Sequence, residues 1–436
     1  MLKVLKFGGS SLADAQQFAK VKKIVESDPA RRVVVVSAPG KRSSDDHKIT
    51  DLLYLCAAHI EYGVSCEKIF DMIRERYNEI RRDCGLNTDI DRDFDQIWVR
   101  MQHGMAREEL ASRGEYMSAR LMADYLGFDF LDAALWLKFR FDGTVDKEAS
   151  YEALRRAAEG RRVVIPGFYG AMPDGRIRTL TRGGSDITGA LAAAAAGADV
   201  YENWTDVSGI LMADPRIVPD PRPIEKVTYA ELRELAFMGA SVMHEESIEP
   251  VKEKGIALNI RNTNRPDDPG TLIVGDALDR DDGERFITGI AGKRDFTIIT
   301  VTKRDMNANH TLCQALEIMD RYHAPVEHIT LGLDSFALVS GTNAMGDALY
   351  DVLADIRKTC RPDDVRVQED IALVAAVGRK MSSRPGISGR LFKALGDAGV
   401  NIRTIAQGAD ELAITVGVDN KDFETAIRVL YNGFAG

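Results

Sequence analysis

Lys3-Val4-Leu5-Lys6-Phe7-Gly8-Gly9-Ser10-Ser11-Leu12-Ala13-Asp14 puts a lysine at the end of an apolar strand, two glycines after it, and hydroxyls where a helix opens. Glycines at a strand-to-helix turn let a ligand approach the backbone, and the free N–H groups and dipole of a helix start favour an anion. Lys6 adds a full positive charge on the same side. In a Walker A loop the lysine follows the second glycine and precedes Ser or Thr, so a different phosphate-binding architecture is implied. Alone, the stretch could equally be a tight turn with a solvated lysine.

A second double-glycine loop, Thr179-Leu180-Thr181-Arg182-Gly183-Gly184-Ser185-Asp186, opens a predicted helix over 187–198 made almost wholly of small residues. Ser185 and Asp186 suit a helix cap. Capping leaves Arg182 unexplained, and its forked donors match a carboxylate or phosphate. Arg113-Gly114-Glu115-Tyr116 sets a carboxylate at a predicted helix start, where the plain reading is an acid stabilised by the helix dipole. Trp204-Thr205-Asp206-Val207-Ser208-Gly209-Ile210, running on to Asp214-Pro215-Arg216, follows a strand and has the polar, turn-rich look of a binding loop. The seven histidines show no HxxxH spacing, so no protein-held metal is expected.

These residues need a scaffold that gathers strand ends. Strands are predicted at 4–7, 32–37, 162–166 and 199–204, and helices at 14–26, 50–62, 67–84, 90–112 and 115–126. The run Arg32-Val33-Val34-Val35-Val36 lacks alternation, as in a strand buried on both faces of a parallel sheet. Such alternation of strands and helices indicates an α/β fold with ligands at the carboxyl ends of strands, where both glycine loops and Ser37 fall. Residues 38–48 read as a mobile loop, and the stretch dense in Asp, Arg and Gly at 276–284 as a linker.

Beyond that linker the chain repeats itself. Slid along its own length, it sets Ile402 on Val326, Ile405 on Ile329, Gly408 on Gly332 and Asp410 on Asp334. The copies read βαββαβ and βαββα, and the second reaches Gly436 without its last strand. An unfilled sheet edge is a template for aggregation, and Ile287–Ala291 is the candidate filler, so one module is expected to be inserted within the other. The division expected is a catalytic domain at 1–280, a first module at 295–370, and a second at 285–294 plus 371–436.

The chain has 436 residues, enough for several domains, and a net charge of −10, which argues against a nucleic-acid or anionic-membrane surface as main partner. Its five cysteines are scattered and lack CxxC spacing, as for reduced thiols in a cytoplasmic protein. Met1 leads almost directly into a strand, which argues against a signal peptide. No apolar run approaches the roughly 18 residues of a membrane span.

In their order, the stretches at 6–14, 37–53, 113–121, 179–190, 204–210, 213–216 and 266–273 resemble the aspartate kinases of the amino-acid-kinase superfamily. The repeats resemble two ACT modules, with Arg384-Pro385-Gly386-Ile387-Ser388-Gly389-Arg390 opening the most distinctive segment. The likeness spans essentially the whole chain at the length of a monofunctional enzyme. It implies an α/β/α sandwich followed by two ferredoxin-like βαββαβ modules, and transfer of a phosphoryl group from ATP to the side chain of L-aspartate. Lys6, oriented by Asp186, would then stabilise the transferring phosphate, helped by the N–H groups of Gly8 and Gly9. Phe7, Gly8, Gly9, Ser10, Thr205, Asp206, Leu211 and Arg216 fall on the ATP side. Arg182 would clamp the substrate α-carboxylate and Glu115 pair with its ammonium, with Ser37, Thr50, Gly183, Gly184 and Ser185 completing that site. Mg²⁺ would be held mainly by ATP oxygens.

The resemblance further implies a homodimer or larger homo-oligomer and an inhibitory amino acid, lysine or threonine. It would bind near Met306, Asn307, Thr311 and Leu312 or near the Asn401-Ile402 turn and Gln407. Three departures stand out: Leu211 replaces a common tyrosine, Ser10 a common threonine, and Arg113 an aromatic or apolar residue. A kinase of glutamate or carbamate type, or a non-catalytic amino-acid sensor, are the alternative readings.

Overall fold

A computed structural model describes residues 1–181, 183–240, 243, 245–275, 286–304, 308–379, 381 and 385–434. They form two compact units that do not follow chain order. Met1–Ile210, Glu225–Tyr229 and Val242–Arg280 make the first, and Leu211–Ile224, Ala230–Ser241 and Asp281–Gly436 the second.

The first unit holds β1 (Lys3–Phe7), β2 (Arg31–Val36), β3 (Asp129–Phe130), β4 (Val163–Pro166), β5 (Tyr169–Ala171), β6 (Ile177–Thr179), β7 (Val200–Thr205), β8 (Lys226–Thr228), β9 (Ala257–Asn262) and β10 (Thr271–Val274). Its helices include α1 (Ala15–Glu26), α2 (Ile49–Glu61), α3 (Glu67–Asp83), α4 (Ile90–Gln102), α5 (Arg107–Leu126), α6 (Ala133–Trp136), α7 (Lys147–Ala158) and α8 (Gly184–Ala196). All strands but the β5–β6 hairpin join one sheet in the order β3-β4-β2-β1-β7-β9-β10-β8. From β3 through β9 neighbours run parallel, so their carboxyl ends share one edge.

Strand alternation then sorts the faces. Leu5, Phe7, Val34 and Val36 belong to the core shared with α1 to α5. Lys6, between Leu5 and Phe7, points the other way and meets α8. The small residues of that helix matter sterically: a Cβ on Gly189 would lie 2.3 Å from the Tyr201 hydroxyl of β7.

One helix boundary differs from the sequence expectation. The helix predicted over 90–112 stops at Gln102, and Gly104 turns the chain with φ 91°. A new helix, α5, then runs unbroken from Arg107 through Glu115 to Leu126. Gly114 is no break: a Cβ there would fall 2.8 Å from the Ala38 Cβ and 3.3 Å from Leu53. Gly114→Ala should therefore cost about 1–3 kcal/mol of stability, the usual cost of overpacking, and lower the denaturant midpoint accordingly. An unchanged midpoint would mean that Ala38 yields freely.

The second unit holds most of α9 (Tyr229–Phe237), and α10 (Glu249–Glu253) falls back in the first. Next come β11 (Gly289–Thr302), α11 (Ala308–Arg321), β12 (Val326–Leu331), β13 (Ser335–Gly341), α12 (Thr342–Met345), α13 (Leu349–Cys360), β14 (Asp364–Val377), α14 (Ile387–Asp397), β15 (Ile402–Gln407), β16 (Ala413–Asp419) and α15 (Phe423–Phe434). Six strands form one sheet, β12-β13-β11-β14-β16-β15. The candidate filler and the first strand of the first repeat are one 14-residue strand, β11. Its residues 289–293 pair with the far half of β14, and residues 296–302 pair with β13 as well as with the near half of β14. The repeats are thus interleaved through two long strands. Irregular pairing between Lys293 and Phe296, with Asp295 at φ 67°, and the turn of Asp370 to φ 58° mark the passage between them. Ala213 and Val218 share a core with α14 and α15, and the Ile290 N–H donates to the Met212 carbonyl at 2.7 Å, which accounts for the membership of Leu211–Ile224 in this unit.

All five cysteines are free. Among the described residues no helix is long and apolar enough to cross a membrane.

Candidate active site

Lys6 is only 7% exposed, and its Nζ lies 2.6 Å from Asp186 Oδ1. Asp186 stands in the first turn of α8 and is fixed from β7 twice: Asn203 Nδ2 donates to its Oδ1 at 3.0 Å, and the Tyr201 hydroxyl donates to its backbone carbonyl at 3.1 Å. Lys6 and Asn203 are register partners on adjacent strands, which is why both meet the same carboxylate. The result is a buried cation aimed by a carboxylate at the carboxyl edge of a parallel sheet.

The glycines around it have separate reasons. A Cβ on Gly8 would stand 3.5 Å from Lys6 Nζ, so its absence leaves room beside the ammonium. A Cβ on Gly9 would fall 2.9 Å from the Ala38 carbonyl oxygen. Gly183 adopts φ 77°, and a Cβ on Gly184 would meet Phe168 at 2.7 Å. The expected anion-binding role of the Gly8 N–H is not available, because it donates to the Trp204 carbonyl at 3.1 Å. The first glycine loop opens only a 3-10 turn, Gly9–Leu12. Helix α1 starts later, capped by Asp14 through the Gln17 N–H. Its dipole therefore does not begin at Gly8-Gly9.

Glu115 is 4% exposed and lies in the third turn of α5, so the helix-dipole explanation for it fails. Burial pushes its carboxyl up to about 8, although its own N–H, the Ala38 N–H and the Arg113 charge pull the other way. Its Oε2 is buried without a partner among the described residues. A cationic ligand group would satisfy that oxygen. Ala38 joins the two halves of the site, since its N–H serves Glu115 and its carbonyl faces Gly9. The Arg113 guanidinium lies 4.6 Å from the Tyr116 ring centre and 5.4 Å from that of Tyr169.

Ser37 follows β2 and donates its N–H to the Phe7 carbonyl, while Thr50 sits in the first turn of α2. Ser185 packs on the end of β4, where a Cβ on Gly167 would meet its Oγ at 2.7 Å. Ser10 is exposed; Thr205 ends β7 and Asp206 follows it, and their side chains are joined at 3.1 Å. Leu211 and Arg216 belong to the second unit, and Arg216 is exposed with its guanidinium on Asp214. Arg182, Met306, Asn307 and the linker at 276–284 lie outside the described residues. Thr311 is buried in α11, Leu312 packs on the first module's core, and Gln407 ends β15. The Asn401-Ile402 turn leads into β15, after Gly399 at φ 71° has turned the chain away from α14.

Two residues escape a sequence reading. Asn203 bridges to Asp186, and its Oδ1 is buried without a partner among the described residues. Its signal is a polar residue inside an otherwise buried strand. Phe168 holds φ 79°, a strained state for a bulky residue that costs of order 1–3 kcal/mol. It is fixed by its N–H donating to Thr188 Oγ1 at 2.9 Å, and it braces the second glycine loop. Among the described residues no group of three His, Cys, Asp or Glu side chains is placed to hold a metal ion.

Comparison with known proteins shows the family. Residues 1–262 match the amino acid kinase family and residues 374–434 the ACT domain. The chain is 35% identical to aspartokinase 3 of Bacillus subtilis (strain 168), over 99% of this chain and 98% of the relative. The crystal structure of Clostridium acetobutylicum aspartate kinase superposes with a TM-score of 0.92 at 44% identity, covering 99% of each chain. Escherichia coli aspartokinase III, 29% identical over the full length of both chains, superposes with a TM-score of 0.73 in its complex with aspartate and ADP and 0.74 with lysine and aspartate. The chain belongs to the amino acid kinase family, among its aspartokinases, with ACT modules in its C-terminal part.

Proposed function

We propose that this chain transfers the γ-phosphoryl group of ATP to the side-chain carboxylate of L-aspartate, giving 4-phospho-L-aspartate and ADP. The observation that carries the reading is a pair of buried ionisable groups near one sheet edge: Lys6, aimed by Asp186, and Glu115, with one oxygen unpartnered. An amino acid meeting a polyphosphate needs both. A carboxylate attacking a polyanion suffers like-charge repulsion, so catalysis is chiefly positioning and electrostatic stabilisation. The nucleophile is already ionised at neutral pH, where free Asp has a pKa of about 3.9. Lys6 supplies charge to the transferring group, with the room left by Gly8 beside it. Glu115 takes the substrate ammonium, Arg182 its α-carboxylate, and Ser37, Thr50 and Ser185 the remaining polar contacts. Thr205 and Asp206 serve the nucleotide. Mg²⁺, when bound with ATP, neutralises phosphate charge and is held mainly by the nucleotide.

Carbamate offers no ammonium for Glu115, which disfavours that alternative. The E. coli relative solved with aspartate and ADP supports aspartate over glutamate. Its complex with lysine and aspartate supports lysine as the feedback ligand; we further propose that the C-terminal modules bind it and that the protein works as a cytoplasmic homo-oligomer. With ATP, Mg²⁺, aspartate and hydroxylamine, aspartyl hydroxamate should accumulate, and millimolar lysine should suppress it. Product from glutamate instead would overturn the substrate assignment. Full activity in lysine would leave the ACT modules to assembly, which light scattering would report.

A further inference from the structure

The segment between Gly40 and Thr50 is held by charges that look like ordinary surface residues in the sequence. Arg76, on α3, is only 5% exposed. Its Nη1 donates to the Gly40 carbonyl at 3.2 Å and its Nη2 to both Asp46 oxygens at 2.6 Å. Asp46 also accepts from the Arg42 N–H at 2.8 Å and from Arg42 Nε at 3.1 Å, which closes the loop on itself. Arg42 Nη1 reaches Glu79, again on α3, at 2.7 Å. Burial opposes ionisation of Asp46, but the Arg42 hydrogen bonds and the Arg76 charge outweigh it and hold the carboxyl well below the usual range. The Asp46 carboxyl is therefore ionised at neutral pH.

This is no surface ion pair of negligible worth. A buried guanidinium is costly unless its donors are met, and here a bidentate carboxylate and a backbone carbonyl meet them. The clamped segment borders the site at both ends. At one end the Gly40 N–H donates to the Gly9 carbonyl at 2.8 Å, and a Cβ on Gly40 would fall 2.7 Å from the Gly9 carbonyl carbon. At the other, the Ile49 N–H donates to the Pro39 carbonyl at 3.2 Å, one residue before Thr50.

We propose that Arg76, acting through Asp46, is a positioning residue for phosphoryl transfer: it clamps the 40–48 loop so that Gly40 stays seated on Gly9 and Thr50 stays at the substrate end. Neither residue touches substrate. The kinetic half of this proposal rests on the kinase reading; the mechanical half rests on geometry alone.

Asp46→Asn keeps size but removes the charge, Asp46→Glu restores it, and Arg76→Lys keeps a cation without the fork. Lys41, Arg42 and Lys48 are exposed in the loop, so native-state trypsin reads the clamp directly. In Asp46→Asn, cleavage within 41–48 should quicken about tenfold while kcat falls about 10- to 100-fold, the scale of a misplaced reacting group. The thermal midpoint should fall, because the buried Arg76 loses its anionic partner, with the variant still folded at the assay temperature, and Asp46→Glu should recover part of each effect. Arg76→Lys should fall between. Quicker cleavage at unchanged kcat would overturn the positioning role, and unchanged cleavage would overturn the clamp. A parent protein that forms no aspartyl hydroxamate would instead sink the kinase reading, while trypsin still reports the clamp.

Discussion

Lys6→Ala should abolish turnover and leave the protein folded, with kcat falling at least about 10²-fold, the scale for removing one electrostatic stabiliser. The lysine sits on a central strand with its ammonium 2.6 Å from Asp186, and it is the cation that the geometry aims at the sheet edge. The substrate carboxylate needs no base, so in the proposed mechanism Lys6 contributes charge where the transferring phosphoryl group becomes crowded with oxygens. After truncation Asp186 keeps the Asn203 donor and partial access to water, which limits the cost in stability. Melting curves should therefore nearly coincide for variant and parent. The result that would sink the assignment is a folded Lys6→Ala protein whose kcat stays within a factor of a few of the parent.

Much of the scaffold behind Lys6 is legible in the sequence. The unbroken valines of β2 mark a strand buried on both faces, and the two glycine loops declare themselves because their glycines serve close approach and a positive φ. The reaction itself is legible only through the resemblance of ordered motifs. Glu115 is misread as a helix start because glycine in a sequence suggests a break, whereas Gly114 is set by the Ala38 Cβ, which arrives from a distant strand end. The same distance hides Arg76 and Asp46: ion pairing depends on α3 lying across the loop, and no local pattern encodes that crossing. Asn203 shows only as a polar residue in a buried strand, and its partner Asp186 comes from another element. Residues that act on ligands through their own chemistry are readable; those that act by holding other residues are not.

Glu115→Gln should raise the KM for aspartate on the order of 10- to 100-fold, the worth of a charge-assisted hydrogen bond, and leave the KM for ATP nearly unchanged. The carboxyl is buried, partnered by the Ala38 N–H on one side and unpartnered at Oε2, where an ammonium would complete it. Burial holds its pKa at about 8 in the free protein, so it must lose a proton before it can pair with the substrate. In the parent, kcat/KM for aspartate should then climb as pH rises and level off above about 8, because that ratio reports the free enzyme. The Gln variant should lack this limb. Stability should move the opposite way. The unfolded carboxyl titrates near 4.5 and the folded one near 8, so folding takes up a proton between those values, and the contribution of Glu115 to stability declines as pH rises through that window. Gln carries no proton to lose, so the variant should gain thermal midpoint relative to the parent from pH 5 towards pH 8 even as it loses aspartate. An equal rise in both KM values, with no change in the pH limb, would place Glu115 in the packing of α5 and not in the substrate site.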